Sequence, residues 1–588
     1  MECGLTGVLQ PGLVPYTRGR FRPDASDVTR RGGYRQGVTS VQPGQQAIRR
    51  NGALSALGVL VVYCLLRLFL FSHVAGFEDH DGVSYVRQIE AIGYWNHAEL
   101  SREITPDFMP AFPLLASGFA SLGASGEFAG RLTSFLASVA LFGALLWLGW
   151  AWLPRGALVS GLLILSFLPL AIEYSAAVMT EMTYLAFLYI GLAVYFGRGG
   201  EFRVGHGALL GVVFGLAFLT RAEGVLFAIA LPGIAAGEAL LFEKRPGVSR
   251  RWAVWSSAFL VAFSLVAAPQ IWRVSSELGR PALNGRQLWS SILNQPDGKS
   301  YYEKIYGLDY SDSKVNLHYL RAHPEVAKEL SDGIEPVDFA RTIRDNLREL
   351  WHLRIGELIT PFGFALLVFG LLYLYGSRRY RELLICSAVL ALTTVPSVLY
   401  NVHPRHLLPV LPLACLLMGL GAHGLGSWLE RSSPIQRRFP VRLRYAVVAV
   451  WVLLCGLPLL RILSPARVDW AVHFDQHARI VREVALREGL GQPRITSRKG
   501  YLPLRSKAVP VVLPYADYDR FVQYLESNRV DFVFLERAQV EGHPFVSRFN
   551  GAEPPEGFEH LHHTRDPQGR TMDLYRFRPN GRPGPEQG

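Results

Sequence analysis

The sequence FEDHDGVSY occupies residues 77–85 and directly follows the first long apolar run of the chain. It holds three acidic residues, Glu78, Asp79 and Asp81. Carboxylates are costly to place in or near lipid, so an acidic cluster at the end of an apolar run marks a functional site by default. The stretch therefore predicts a membrane protein whose chemistry lies at one surface of the bilayer, with Asp81 as its first candidate.

The composition agrees with a membrane protein. Half of the 588 residues are hydrophobic and only 18% are charged, which indicates a polytopic α-helical membrane protein. The net charge of +12 does not indicate nucleic-acid binding, because the arginines lie in short loops between apolar runs, as in the positive-inside pattern. The five cysteines have no spacing typical of a metal site or a disulfide framework.

A membrane-spanning helix needs about 20 apolar residues, and the chain offers about eleven such runs. They occupy 52–75, 128–152, 156–174, 181–198, 206–220, 223–242, 252–274, 354–376, 382–400, 406–424 and 443–463. A further run at 109–122 is short and contains Pro110 and Pro113. We interpret it as a re-entrant or interfacial helix of the outer leaflet.

The basic loops set the orientation. Arginines precede the first span, and the loops 243–251, 377–381 and 431–444 are basic. All of them face the cytoplasm only if 109–122 does not cross the membrane. The N-terminus is then cytoplasmic and the C-terminus extracytoplasmic. The basic residues are mostly arginine, which indicates a bacterial genome rich in GC and therefore the inner (cytoplasmic) membrane. The polar loops 76–127 and 275–352 lie on the outer face.

Four segments follow from this topology. Residues 1–50 are predicted to be a disordered cytoplasmic tail, 51–463 the transmembrane domain, 464–577 an extracytoplasmic α/β domain and 578–588 a disordered tail. In the α/β domain we expect helices at 475–488 and 515–528 and strands at 493–497, 509–512, 530–535 and 571–577. The first of these helices is expected to be amphipathic and to face the domain core with Ile480, Val481, Val484 and Leu486.

Asp81 precedes a predicted helix at 83–95, in which apolar residues recur on one face. These residues are Tyr85, Ile89, Ile92 and Trp95. The pattern is typical of an amphipathic helix at a membrane interface. Asp81 itself has two interpretations, either a catalytic carboxylate or the N-cap of this helix.

A series of short motifs carries a family resemblance. They are Asp81 with Tyr85 (Gly82 standing where a Glu is usual), PDFMPAFP at 106–113, GASGEFAGRL at 123–132, YSAAVMTE at 174–181 ending in Glu181, LTRAEG at 219–224, and HPRHLLP at 403–409 with His406 in the place of a Tyr. Their order and spacing resemble glycosyltransferase family 39 and its relatives of the GT-C fold. That group includes protein O-mannosyltransferases, aminoarabinose transferases acting on lipid A, and lipopolysaccharide galacturonosyltransferases. The resemblance extends from about residue 52 to 424.

The resemblance implies a membrane glycosyltransferase of the cell envelope, acting in lipopolysaccharide or protein glycosylation. The donor would be a hexose or pentose on a polyprenyl phosphate, and the acceptor a lipid, glycan or protein. Its partners would be these substrates and membrane lipids, with no nucleic acid. Catalytic roles fall to Asp81, the base, and Glu181, which would orient the acceptor or a cation. Arg405 and Arg221 would bind the donor phosphate, and further substrate contacts would come from Asp79, Tyr85, Arg131 and His406.

Other interpretations of these residues stay open. Arg221 and Arg405 are also explained by snorkelling, or by an ion pair such as Arg221 with Glu223. Glu181 is also explained as a carboxylate at a helix N-terminus. The resemblance requires no cofactor and no metal ligand is assigned, although the histidines near Asp81 leave a divalent cation as an alternative.

Two other classes of protein compete with an enzyme. A transporter or flippase of lipid-linked sugars is the first, but transporters usually show internal repeats and polar breaks near the bilayer midplane. Here the charges gather at the outer ends of the spans instead. A non-catalytic scaffold that displays the C-terminal domain is the second, and only the resemblance argues against it.

Overall fold

The computed structural model describes residues 43–73, 80–94, 107–197, 202–242, 247–285, 300–308, 315–316, 339–350, 355–399, 403–432, 446–454, 465–551, 553–565 and 569–579. The candidate Asp79, both predicted disordered tails apart from 43–50 and 578–579, and most of the loop 275–352 lie outside these residues. The chain divides between Arg50 and Asn51, and the fold described below is that of the second unit, Asn51–Gly588.

Helices make up the first part of this unit. In chain order they are α1 (Pro43–His73), α2 (His80–Gly93), α3 (Ala111–Ala120), α4 (Gly126–Trp152), α5 (Arg155–Ser166), α6 (Pro169–Ala176), α7 (Glu181–Gly197), α8 (Val204–Thr220), α9 (Val225–Phe242), α10 (Val248–Glu277), α11 (Tyr301–Tyr306), α12 (Phe339–Glu349), α13 (Ile355–Gly376), α14 (Tyr380–Leu399), α15 (Pro404–Leu407) and α16 (Leu411–Ser432). Residues 446–454 are helical as well.

Each predicted span overlaps a helix. In the described part, seven helices are long and apolar enough to cross a membrane, and the bent pair α5–α6 would make an eighth. The helices α7 and α8 are apolar but shorter, so the predicted number of eleven spans is not reproduced by length alone. A multi-pass membrane protein is confirmed. The helix α3 has ten residues and is about 15 Å long, half of a bilayer core, which agrees with a segment that does not cross.

The run predicted as one span at 156–174 is broken into α5 and α6, which are bent by 60°. Pro169 at the start of α6 causes the break, because a proline disfavours helical backbone at the preceding residue, and Leu168 is extended. Arg67 of α1 donates from Nη1 to the carbonyl oxygen of Ser166 at 3.4 Å. A terminal carbonyl of α5 is thereby paired inside the helix bundle.

Two helices approach closely through glycine. Gly207, Gly211 and Gly215 repeat every four residues along α8 and face α10. A Cβ atom at Gly211 would lie 2.2 Å from the carbonyl oxygen of Phe259, so no larger residue fits there. Small residues at this spacing are how membrane helices pack backbone against backbone.

Polar contacts group the helix ends into two sets. At one set, Glu238 of α9 pairs with Arg381 of α14 at 2.6 Å and accepts from the Tyr195 hydroxyl of α7 at 2.8 Å. At the other set, Arg131 of α4 donates to carbonyl oxygens at the ends of α6 and α1, Ala176 and Phe71. The helix ends that loop charge assigns to the same face are therefore neighbours in the structure.

The C-terminal part is a small α/β domain. Its elements are α17 (Pro465–Arg487), β1 (Arg494–Ser497), α18 (Tyr501–Ser506), β2 (Val509–Val512), α19 (Tyr518–Ser527), β3 (Phe532–Glu536), α20 (Arg537–Val540), β4 (Phe558–Arg565) and β5 (Thr571–Phe577). The sheet order is β2-β1-β3-β5-β4, with β1 parallel to β2 and β3, and β5 antiparallel to β3 and β4. The predicted strands are present, whereas α18 and β4 were not predicted.

One residue of α17 was placed wrongly. Leu486 was expected to face inward but is 81% exposed. The buried stripe of α17 passes instead through Phe474, Ala478, Val481 and Ala485, at helical spacing. Leu486 follows Ala485 directly and is rotated about 100° away from that stripe.

The helix α2 is enclosed rather than lying on a lipid surface. Its Val83, Val86 and Ile89 belong to one hydrophobic core with residues of α3 and of the C-terminal domain, including Tyr501 and Leu502. The expected amphipathic helix exists, but protein covers more of its surface than the single predicted face. The C-terminal domain therefore packs directly on the helix that carries Asp81.

Candidate active site

The structure brings Asp81 and Arg405 together across 324 residues of sequence. Arg405 Nη1 lies 3.2 Å from Asp81 Oδ2, and each side chain is about one fifth exposed, at 18% and 19%. Asp81 lies in the first turn of α2, where the helix dipole favours a carboxylate. It is therefore inside the helix rather than at its N-cap, and it joins the acidic motif to the His-Pro-Arg motif through an ion pair that the sequence did not predict.

Local sequence chemistry holds Arg405 in place. His403 caps α15, its Nδ1 accepting from the Arg405 backbone N–H at 3.3 Å, and Pro404 occupies the first helical position. The next residues, Leu408–Val410, form a tight 3₁₀ turn before α16 begins. Arg405 thus lies on one short, separately capped turn at the start of a span.

A second cluster is centred on Arg221, where α8 ends. Its Nη1 lies 2.6 Å from Glu181 Oε1 and its Nη2 2.8 Å from Glu223 Oε1. Glu181 is the first residue of α7 and its side chain is only 3% exposed. Its second oxygen, Oε2, is buried and has no hydrogen-bond partner among the described residues. One guanidinium therefore serves two carboxylates, and one carboxylate oxygen is available to a ligand.

The backbone around Arg221 is unusual for a helix end. Arg221 is extended, and Ala222–Gly224 then forms a 3₁₀ turn that leads into α9. A Cβ at Gly224 would lie 2.5 Å from the Phe218 backbone nitrogen, so the turn requires glycine. This tight reversal directs Arg221 and Glu223 toward the same partners.

The two clusters are neighbours. A small cavity is lined by Tyr184, Arg221, Glu223, His406 and Pro409, together with apolar residues of α9 and α14. His406 follows Arg405 directly and acts electrostatically on Glu223. The site therefore combines three carboxylates and two guanidinium groups at one set of helix ends.

The other predicted site residues have different surroundings. Tyr85 is buried, with its ring edge-on to Phe108 and Phe112, although it is within electrostatic range of Arg221. Arg131 donates to two helix-end carbonyls, as described above, which is a structural arrangement. Their predicted contacts with substrate stay predictions, and Asp79 lies outside the described residues.

The site also contains residues that sequence reasoning did not select. Glu223 was considered only as an ion-pair partner of Arg221, and Tyr184 was not considered at all. The signal for Glu223 was its position two residues after Arg221 in the turn. Tyr184 lies inside an apolar span, and nothing in the local pattern distinguishes it from a core tyrosine. Among the described residues, no three potential metal ligands with suitable spacing occur in this site.

Comparison with known proteins was carried out against families and solved structures. Residues 106–272 match the family model described as dolichyl-phosphate-mannose-protein mannosyltransferase. That range contains Glu181, Arg221 and Glu223 but neither Asp81 nor Arg405. No match was found among curated protein sequences.

The solved structures extend the likeness to most of the chain. ArnT from Cupriavidus metallidurans in the apo state is 14% identical with a TM-score of 0.52, over 90% of this chain and 98% of that one. This chain has the GT-C fold. ArnT bound to undecaprenyl phosphate is also 14% identical with a TM-score of 0.50, over 89% and 97% of the two chains.

An archaeal protein shares the same fold. The oligosaccharyltransferase AglB from Archaeoglobus fulgidus, in complex with an inhibitory peptide and a dolichol-phosphate, is 11% identical with a TM-score of 0.50. The similarity covers 88% of this chain and 74% of that one. The family model and the fold together confirm the prediction of a membrane glycosyltransferase with a small C-terminal α/β domain.

Proposed function

We propose that this chain transfers a sugar from a polyprenyl-phosphate-linked donor to an acceptor hydroxyl at the outer face of the cytoplasmic membrane. The observation that carries the proposal is the ion pair of Asp81 with Arg405, 3.2 Å apart and partly open to solvent. The donor class is supported by the ligands of two similar structures, undecaprenyl phosphate in ArnT and a dolichol-phosphate in AglB.

Asp81 is the proposed general base. The acceptor oxygen attacks the anomeric carbon of the donor while its proton passes to the Asp81 carboxylate. The bond between the anomeric carbon and the phosphate oxygen breaks, and the lipid phosphate leaves with the bonding electrons. The guanidinium of Arg405 beside Asp81 favours its ionised form before the reaction, as a base requires.

Arg405 is the proposed partner of the departing phosphate. Phosphate oxygens match the forked N–H groups of arginine, and negative charge on the bridging oxygen grows as the bond breaks. Arg221 is a second cation beside this position, but two carboxylates already bind it. Arg221 can therefore contact the phosphate only if the phosphate replaces one of these two carboxylates. Glu181, with its unbonded Oε2, is the proposed contact for the acceptor or for a cation.

An apolar groove next to the site fits the lipid part of the donor. It is lined by Leu367, Leu390, Ala391, Thr394, Val395, Val398, Leu399 and Val410, with a volume of about 430 Å³. The helix α14 separates the two regions, because its residues Thr393 and Pro396 line the polar cavity while Thr394 and Val395 line the groove. A polyprenyl chain in the groove would leave its phosphate near Arg405.

The orientation belongs to the same proposal. The basic loops place the N-terminus in the cytoplasm, and the segments 51–463 and 464–577 then act as the transmembrane and extracytoplasmic domains. The contacts among helix ends support this grouping, since Asp81, Glu181, Arg221 and Arg405 lie at the ends assigned to the outer face. Reporter fusions after residues 200, 378 and 588 test it: the first two should report cytoplasm and the last the periplasm.

The test of the proposal is sugar transfer in membranes or nanodiscs containing the full chain, supplied with a panel of labelled polyprenyl-phosphate sugars. Asp81→Asn is compared with the unmodified protein, and Asp519→Asn, an exposed aspartate of α19, serves as the control. Loss of a general base costs about 10²–10⁴-fold in turnover, so only Asp81→Asn should lose transfer. Equal transfer by the Asp81 variant would overturn its role.

A flippase of lipid-linked sugars is the competing function. It predicts movement of label between leaflets with no transfer to lipid, glycan or protein fractions, and no dependence on the Asp81 carboxylate as a base. Measuring the movement of labelled donor between leaflets, in sealed liposomes that contain the same protein, separates the two functions. The fraction that receives label in the transfer assay also identifies the acceptor class.

A further inference from the structure

Three side chains at one edge of the C-terminal sheet point their ligand atoms at each other. His563 Nδ1 lies 2.8 Å and His560 Nε2 3.2 Å from Asp573 Oδ1, and all three atoms lie within 4.8 Å of one another. A search of the described residues for three or more histidine, cysteine or carboxylate side chains close enough to hold a metal ion finds this one group. It is part of neither the ion pairs nor the cavity of the candidate active site.

An irregularity in the sheet creates this arrangement. The strand β4 pairs with β5 so that His560 faces Tyr575, His562 faces Leu574 and His563 faces Asp573, with a bulge between His560 and His562. Successive side chains of a regular strand alternate between faces, so residues 560 and 563 would normally point to opposite sides. The bulge shifts the alternation and turns both imidazoles toward Asp573.

His562 shows the other side of the same strand. Its ring lies 4.9 Å from the ring of His477 in α17, under the sheet. The three histidines of β4 are therefore divided, two around Asp573 and one in the packing against α17. His562 consequently provides a control in the same strand.

Asp573 is held in the orientation that a ligand needs. Arg537 Nε donates to Asp573 Oδ2 at 2.7 Å, which leaves Oδ1 directed at the two histidines. Arg537 is itself fixed by the Asn550 side chain and the Phe549 carbonyl oxygen. A second shell of this kind orients metal ligands in proteins.

We propose that His560, His563 and Asp573 bind a divalent transition-metal ion of the zinc type. Zinc binds nitrogen at about 2.0–2.1 Å and carboxylate oxygen at about 2.0–2.2 Å, which places tetrahedral ligand atoms roughly 3.3–3.5 Å apart. The distance from His560 to Asp573, 3.2 Å, is close to this value, whereas the distance from His563, 2.8 Å, is that of a hydrogen bond and has to lengthen slightly. Both imidazoles are partly exposed, at 37% and 50%, and can rotate to bring their nitrogens together.

The ligand set selects the kind of ion. Imidazole with one carboxylate suits Zn²⁺ and its first-row neighbours, whereas Mg²⁺ and Ca²⁺ prefer oxygen-only sites. Three protein ligands leave a fourth position for water or for an oxygen of a bound molecule. The ion would join the edge strand β4 to β5 through side chains, in addition to the backbone pairing. Without metal, the same residues form a histidine–aspartate–arginine hydrogen-bond network.

The experiment measures metal binding by the full chain in nanodiscs, prepared with a tag that contains no histidine and stripped with a chelator. Co²⁺ is titrated while its visible absorption is recorded, and Zn²⁺ is titrated by calorimetry. The unmodified protein and His562→Gln should each bind one ion with matching affinity. His560→Gln/His563→Gln should lose more affinity than the roughly 10–100-fold that loss of a second-shell partner costs.

Two results would overturn the site. One is the absence of a saturable site in the unmodified protein. The other is binding by the double variant equal to that of the unmodified protein. Thermal unfolding of both variants in chelator confirms that each is folded, and Zn²⁺ should raise the unfolding temperature of the unmodified protein and of His562→Gln only. Sugar transfer is not the readout, so this result is independent of the proposed function.

Discussion

The hydroxyl of Tyr189 donates a hydrogen bond to the carbonyl oxygen of Pro409, 2.8 Å away and 220 residues later in the chain. The same hydroxyl accepts from the Leu413 backbone N–H at 3.0 Å. In a continuous helix these two backbone groups would bond to each other. Tyr189 therefore inserts into the hydrogen-bond ladder where α15, the 3₁₀ turn and α16 meet, and it holds open the break beside Arg405.

This insertion predicts that Tyr189→Phe impairs catalysis from a distance. Without the hydroxyl, the Pro409 carbonyl and the Leu413 N–H either stay unsatisfied, at a cost of about 1–3 kcal/mol, or pair and straighten the break. Either change moves the turn that carries Arg405. A displacement of about 1 Å in a site costs on the order of 100-fold in rate, so we expect turnover to fall by about 10–100-fold.

The control for this variant is Tyr375→Phe, which removes a hydroxyl from an exposed tyrosine of α13. Steady-state transfer assays on both variants, with donor concentration varied, separate turnover from KM. Normal turnover in Tyr189→Phe would show that the break keeps its shape without the hydroxyl, and that Tyr189 does not position Arg405.

The surroundings of Arg221 predict a variant, Glu223→Gln, that binds the donor more tightly than the unmodified protein does. Glu181 and Glu223 both hold its guanidinium, and the site carries one more carboxylate than it has guanidinium groups. In Glu223→Gln the ion pair becomes a neutral hydrogen bond, which releases part of the fork to a phosphate. We expect the KM for the donor to fall by about 3–10-fold, equivalent to roughly 1 kcal/mol of charge interaction at a partly exposed position.

Arg221→Lys in the Glu223→Gln background is the matched variant, since it keeps the charge and removes the fork. It should return the donor KM to the original value or above it. An unchanged KM in Glu223→Gln would mean that Arg221 is a structural cation, as its two carboxylate partners allow, and that Arg405 alone meets the phosphate.

The sequence predicted the convergence of Asp81, Glu181, Arg221 and Arg405 on one face because each lies next to an apolar run whose direction loop charge determines. It did not predict which of them pair, because pairing depends on how helices distant in sequence pack. Tyr189 is an extreme case, since its role depends on a helix break 220 residues later. Nothing in the apolar run around Tyr189 signals that break.

In the C-terminal domain, too, features that depend on local sequence were predictable and features that depend on tertiary packing were not. The strands β1, β2, β3 and β5 were predictable because they contain apolar, β-branched or aromatic residues. The strand β4 reads FEHLHHTR and lies at the sheet edge, so it lacks the alternating apolar pattern of a half-buried strand. The burial of α2 could not be predicted, because the C-terminal domain that covers its second face begins more than 370 residues later in the chain.

Acid stability of the C-terminal domain should depend on His477. This side chain is buried beside His562 and His473, and burial lowers its pKa to about 4, from about 6.5 in an unfolded chain. Between these values the unfolded chain binds more protons than the folded one. Stability is therefore full above about pH 6.5 and is lost as the pH falls to about 4, by roughly 2–3 kcal/mol for this group.

His477→Phe should reduce this acid sensitivity, because it keeps a ring and removes the titrating group. His543, whose pKa burial also lowers to about 4, stays in the variant and should preserve part of the effect. Thermal unfolding or limited proteolysis of the domain across pH 4–8 measures the slope. A profile for His477→Phe as steep as that of the unmodified protein would contradict the assignment.

The contact of Gly500 with Val83 tests whether the C-terminal domain positions the catalytic helix. A Cβ atom at Gly500 would lie 2.9 Å from Val83 Cγ1, and a branched side chain cannot easily move aside. The backbone of Gly500 has φ −74°, so alanine itself fits the local conformation. Gly500→Ala should therefore push on α2 two residues from Asp81, at a cost of about 1–3 kcal/mol typical of overpacking.

We expect reduced turnover in Gly500→Ala and recovery in Gly500→Ala/Val83→Ala. Val83→Ala alone is the remaining variant of this double-mutant cycle. Recovery in the double variant would tie the loss to this one contact, whereas equal loss in the single and double variants would place its cause elsewhere in the domain.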